Sequence, residues 1–144
     1  MGNKLNIAAA VSAVLLFSVT AAEADIVHFE AALKEAPSAA AGKHAKGELV
    51  GVLDTDRRAL EYTVTYAGLS GPAVGAGFRP VTSDPADPVV VAPAADKTGA
   101  IHAIVTLSNA QVGELIAGKW LFDVRTDAAP NGEIQGAVRR TNSY

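Results

Sequence analysis

The amino-acid sequence predicts an all-β fold, an antiparallel β-sandwich or barrel carrying one short helix. Three observations lead there. Apolar residues recur with a period of two in several short runs. Each run is bounded by Gly, Pro, Asp or Asn. One stretch alone, starting at Ser108, carries helix start and stop signals. Short alternating strands at close spacing indicate sheets that pack face to face or close on themselves.

The elements follow in chain order. "IVHFEAALK" sets Val27, Phe29, Ala31 and Leu33 on one face. "KGELVGVLD" sets Leu49 and Leu53 on one face, with Gly47 and Gly51 beside them. "ALEYTVTYAGL" does the same with Leu60, Tyr62, Val64 and Tyr66. Between these two runs, Asp54–Arg58 ("DTDRR") is a tight hairpin in which an Asp side chain bonds back to the backbone. The small, polar stretch Glu35–Gly47 reads as a mobile loop. Gly71–Gly77 ("GPAVGAG") lacks the Gly-Lys-Ser/Thr of a phosphate loop and precedes no helix. Its glycines mark strand bulges or close backbone approach. Arg79–Gly99 contains four prolines, which cannot donate to a ladder. It is loop and edge strand, strand-like only at Pro88–Ala92. "AIHAIVTLS" is the next strand, with Ile101, Ala103, Val105 and Leu107 inward.

Ser108 followed by Gln111 is a capping-box pattern, in which each side chain satisfies a free backbone N–H of the other. Val112, Leu115 and Ile116 form the apolar face, and Gly118 ends the helix. At about two turns it suits a crossover on a sandwich. Trp120 and Phe122 then enter a strand as core anchors. The chain closes on two alternating runs around Pro130-Asn131-Gly132, where Asn-Gly signals a hairpin turn.

The N-terminus reads as a secretory signal peptide. Lys4 lies in a short polar segment, an apolar run spans Ile7–Val19, and Ala22-Glu23-Ala24 is a small-x-small cleavage site. The run is too short for an ordinary membrane span of about 20 residues. Residues 1–24 are therefore expected to be removed, leaving residues 25–144 secreted or periplasmic, with no stable membrane insertion. The absence of cysteine excludes thiol catalysis, iron–sulfur clusters, thiolate zinc sites and a lipidated N-terminal cysteine. A net charge of −3, with only the pairs Arg57-Arg58 and Arg139-Arg140, excludes a basic nucleic-acid face.

A catalytic site does not emerge, and the residues predict a protein that is not an enzyme and needs no cofactor. The three histidines, His28, His44 and His102, alternate outward or lie in a loop, without metal-ligand spacing. No Gly-x-Ser-x-Gly is present, and Ser70 in "GLSGP" reads as a turn. "DPAD" lacks the ligand density of a calcium loop. Arg125 and Glu133 flank the last hairpin and are expected to pair across it, an exposed contact contributing about 0–1 kcal/mol.

Five stretches together carry a family resemblance: "FEAAL", "GELVGVLD", "LEYTVTYAGLSG", "LSNAQVGELIAGKW" and "RTDAAPNGEIQGAV". In order and spacing they resemble the CHRD domain, the repeated unit of chordin, which also occurs alone in bacterial secreted proteins. The resemblance covers residues 25–144 almost fully. It implies an immunoglobulin-like or superoxide-dismutase-like β-sandwich. Members typically close with His-Thr and then Pro-x-Gly-Glu-Ile-Arg-Gly; Thr126, Pro130, Gly132, Glu133, Ile134 and Gly136 match.

The departures concern chemistry. Where members carry His-x-His, this chain has Gly77-Phe78-Arg79, and Arg125 replaces the His before Thr. Gln135 replaces the Arg after Glu-Ile. If the family histidines hold a metal, this chain has lost it, because arginine stays charged and ligates poorly. A copper- or zinc-binding, superoxide-dismutase-like role is thereby disfavoured. Arg79 and Arg125 are instead expected to form a cationic notch, closed by Glu133 or by an external carboxylate or phosphate. The resemblance implies a binding or structural module whose partner is another protein or a cell-envelope component.

Overall fold

The alternating runs become one continuous antiparallel sheet in the computed structural model, which describes residues 25–37, 44–81, 88–95 and 99–141. The expected signal peptide, residues 38–43 of the Glu35–Gly47 loop and parts of Arg79–Gly99 lie outside the described residues. The strands are β1 (Ile26–Glu35), β2 (Lys46–Asp54), β3 (Ala59–Ala67), β4 (Ala73–Pro80), β5 (Val90–Val91) and β6 (Ala100–Thr106). Helix α1 (Asn109–Ile116) is followed by β7 (Trp120–Thr126), β8 (Ala129–Ala137) and β9 (Arg139–Thr141).

The sheet runs β5-β4-β7-β8-β1-β2-β3-β6, with β9 added to β1. It curls so that its two halves face each other, giving the expected all-β, sandwich-like fold. Strand β1 is the seam. One of its edges pairs with β2 along the whole strand. The other edge pairs with β8 only at Lys34 and Glu35, and with β9 at His28–Glu30.

Phe78 of β4 and Phe122 of β7 meet Tyr62 of β3 across the interior. Tyr62 and Phe78 pack edge to face at 5.0 Å, as do Phe78 and Phe122 at 5.0 Å. Trp120 lies against Phe78 at 5.6 Å. Such pairs contribute roughly 0.5–1.5 kcal/mol beyond the area they bury. The inward residues of β1, β2, β3 and β6 named from the sequence complete this core.

The local signals are realised as side-chain bonds. Asp54 Oδ1 accepts the Arg57 N–H at 2.9 Å in the β2–β3 turn. Ser108 Oγ accepts the Gln111 N–H at 3.1 Å, and Gln111 Oε1 accepts the Ser108 N–H at 2.8 Å. Gly118, at φ +73°, turns the chain out of α1. Trp120 Nε1 donates to Glu114 at 2.9 Å, tying helix to core. The expected bulge in Gly71–Gly77 falls between Ala73 and Gly75.

One expectation is corrected. The last hairpin does not turn at Pro130–Gly132. Thr126 pairs with Ala129, so Asp127 and Ala128 make the turn. Thr126 Oγ1 accepts the Ala129 N–H at 3.2 Å and closes the turn before the Asn-Gly is reached. The next pair is Val124 with Ile134, so Pro130–Glu133 bulge out of the ladder. The Arg139-Arg140 pair is exposed and belongs to β9, where Phe29 pairs with Arg140.

Two glycines should respond in opposite directions. A Cβ on Gly136 would overlap the Ala32 carbonyl, where β8 crosses close to β1. Gly136→Ala is expected to cost about 1–3 kcal/mol in denaturant unfolding. Gly113, in α1, has open space around its missing Cβ. Gly113→Ala is expected to stabilise by about 0.5–1 kcal/mol.

Candidate functional site: a buried arginine–aspartate–arginine cluster

The pleat that buries the aromatic core also builds the site. Successive strand residues point to opposite faces. With Ala76 and Phe78 inward on β4, Gly75, Gly77 and Arg79 face the other way. With Phe122 and Val124 inward on β7, Leu121, Asp123 and Arg125 face the same way as those three. The register sets Gly77 beside Asp123, Gly75 beside Arg125, and Gln135 of β8 on the far side of Asp123. Arg79 and Arg125 thus stand on one face, with Asp123 between them.

Arg79 Nε lies 2.8 Å from Asp123 Oδ2. Asp123 is wholly buried and Arg79 is 8 % exposed. Arg125 is half-buried, and its charge also acts on Asp123. The Arg79–Asp123 contact is a close ion pair whose N–H is not aligned on the oxygen. Both Asp123 oxygens and the Nε of both arginines are buried without an aligned hydrogen bond. Burial therefore pushes the Asp123 carboxyl above its ordinary 3.8, against the pull of Arg79 and Arg125.

Glu133, the acid expected to close the notch, is held elsewhere. Its two carboxylate oxygens accept the Ser70 N–H at 2.9 and 3.1 Å. The bulge in β8 carries Glu133 off the ladder toward the β3–β4 loop. There Ser70 Oγ also lies 3.5 Å from Thr126 Oγ1. The acid that sequence reasoning missed is Asp123. In "LFDVRT" it looks like an ordinary outward polar residue of an alternating strand. Only the burial of that face distinguishes it.

The histidines lie apart from this cluster. His28 and His102 are exposed on β1 and β6, and His44 is exposed before β2. Among the described residues, no three His, Cys, Asp or Glu side chains come together as a metal site. None of their helices is long and apolar enough to cross a membrane.

Residues 27–138 match the CHRD domain. The chain belongs to the CHRD domain family. No curated protein and no solved structure matches it. As a CHRD domain it shows what its closing motif does physically. Thr126 closes the β7–β8 turn, Glu133 holds the Ser70 loop, Ile134 fills the core, and Gly136 lets β8 approach β1. Gly132, at φ +119°, packs against the Asp123 carboxylate. The positions where the resemblance implies histidines, 77, 79 and 125, fall on the face of the arginine cluster. Glycine has no donor and guanidinium does not coordinate, so these three do not fit a metal.

The cluster should behave as a unit. Arg79→Met alone removes the partner of the wholly buried Asp123 and leaves its carboxylate uncompensated in the interior. A loss of about 3–5 kcal/mol is expected in denaturant unfolding. Replacing the pair together, Arg79→Met with Asp123→Leu, should cost far less or nothing. The pH profile gives a second check. A carboxyl raised in the fold holds its proton there more tightly than in the unfolded chain. Its contribution is then full below 3.8 and is lost as pH rises through the folded value. The stability difference between wild type and Asp123→Asn should therefore shift in favour of wild type as pH falls toward 3.8.

Proposed function

We propose that this CHRD domain is exported, cut after Ala24, and acts as a non-enzymatic binding or structural module in the periplasm or outside the cell. Its partner in this reading is another protein or a cell-envelope component. The observation that carries the reading is the Arg79–Asp123–Arg125 cluster on the face that positions 77, 79 and 125 share. Those positions hold no metal donor, and the acid between them, Asp123, is engaged by Arg79. The signal-peptide layout of residues 1–24 supports the export.

A hydrolytic role finds little support. The nearest approach to a catalytic array is on the outer face of β3 and β6. Thr63 Oγ1 lies 3.0 Å from His102 Nδ1, and His102 Nε2 lies 3.5 Å from Glu61. Nucleophile, base and acid types are all present. However, the His102 and Glu61 side chains are each 58 % exposed on an open sheet surface. An array of this kind needs a site that excludes water and aims donors at a developing oxyanion. The row reads better as solvated cross-strand pairing, since Thr63 and His102 are register partners.

Three measurements test the proposal. Mass analysis of the exported chain should give an N-terminus at Asp25. After exposure to copper and zinc and desalting, elemental analysis should find less than stoichiometric metal; a full equivalent would return the superoxide-dismutase-like alternative to first place. Hydrolysis of p-nitrophenyl acetate should be the same for wild type and Thr63→Val. A clear drop in the variant would instead make the Thr63 row a catalytic site.

A further inference from the structure

A cleft of about 250 Å³ opens next to the arginine cluster, at the β4–β5 edge of the sandwich. Its walls include Gly75, Val91, Pro93, Ala94 and Ile101, and among the described residues Arg125 is its one charged member. Every other lining residue is Gly, Ala, Val, Pro or Ile. Gly75 is what admits the guanidinium. A Cβ there would lie 3.0 Å from Arg125 Nη2, 3.2 Å from Cζ and 3.3 Å from Nε. Three nearly equal distances mean that the guanidinium plane rests flat on the β4 backbone.

The charge count of the cluster is uneven. Among the described residues Asp123 is the single carboxylate between the two guanidiniums, and Arg79 takes its Oδ2 at 2.8 Å. One positive charge is left over, and Arg125 carries it at the wall of an apolar cleft. Arg125 Nε is buried without a hydrogen-bond acceptor. The Arg125 guanidinium itself lines the cleft, and a carboxylate there would meet its positive charge in charge-assisted hydrogen bonds. The volume restricts the guest. Pockets for drug-sized ligands run from about 300 to 1,000 Å³, so this one suits a smaller molecule. A single guanidinium among apolar walls matches a single negative charge better than a phosphate dianion.

We infer that this cleft is a binding site for a small monocarboxylate with a short aliphatic tail. The carboxylate pairs with Arg125, and the tail lies along Val91, Pro93 and Ile101. This site is separate from whatever surface meets the macromolecular partner proposed above, and it stands or falls independently of that proposal.

The test is thermal denaturation and calorimetric titration of the purified full chain with sodium butyrate. Butyramide, its uncharged isostere, and sodium sulfate are the controls. Butyrate should bind saturably and raise Tm by roughly 4 °C at ten times its Kd. Butyramide should bind at least about tenfold more weakly, for want of the charge-assisted bonds. Arg125→Gln should abolish the difference between butyrate and butyramide. Ala94→Phe changes an exposed wall residue and leaves Arg125 and Asp123 in place. It should block butyrate by filling the cleft, and it decides the matter if Arg125→Gln does not fold. The inference is overturned if butyrate and butyramide bind alike, if sulfate matches butyrate, or if Ala94→Phe binds butyrate as wild type does.

Discussion

Phe78 is the residue on which the arrangement depends. It is fully buried, and it touches Tyr62, Phe122 and Trp120. Those contacts hold the β4–β7 half of the sheet against the β3 half. Placing Phe78 inward fixes the pleat of β4 and sends Gly77 and Arg79 to the opposite face. Placing Phe122 inward does the same for Asp123 and Arg125 on β7. The charged cluster is thus a geometric consequence of the aromatic core. A one-residue slip of β4 or of β7 would drive Arg79 or Asp123, respectively, into the aromatic layer, so the register is set from both faces at once.

The cluster is not an obvious source of stability. Taking an arginine and an aspartate out of water costs several kcal/mol per ion, which their attraction offsets only with good geometry. Here the closest contact is poorly aligned and the acid lacks hydrogen bonds. A pair of this kind is hard to break one partner at a time, yet apolar residues of similar volume would substitute for it easily. Its better rationale is chemical. The second guanidinium, on Arg125, remains only partly compensated and lies beside open volume.

The fold was legible in the sequence because nearly every strand has one buried face. Alternation survives in β1, β2, β3 and β6, whose inward residues can be read directly from the period. The capping box of α1 is equally readable, because it is a contact between residues three apart. Two features escaped for opposite reasons. Asn131-Gly132 is a strong local turn signal, but the Thr126 side chain closes the turn at Asp127-Ala128 first. Strand β9 carries only a weak local signal and is defined by pairing with β1, more than a hundred residues earlier in the chain. The site was legible by halves. Arg79 and Arg125 stand out where the family pattern expects histidine. Their acid does not, because a turn at Pro130–Gly132 would set Glu133 across from Arg125, whereas the cross-strand register selects Asp123.

Exchanging histidine for arginine at such a site changes what the surrounding residues must do. Histidine can be neutral near physiological pH and can share its ring nitrogens with a metal or a hydrogen-bond acceptor. Arginine remains charged, so each one placed in a dry face requires an anion within reach. Among the described residues one such anion, Asp123, serves the two arginines. The chain also supplies space: Gly75 provides a flat floor beneath Arg125, and Gly77 leaves the floor beside Asp123 without a side chain. A bulky residue at position 75 would push the Arg125 guanidinium off β4 and away from the cleft. The glycines and the arginines therefore form one device. The glycines lower the floor, the arginines lie on it, and the shortfall of one negative charge defines what that face can hold.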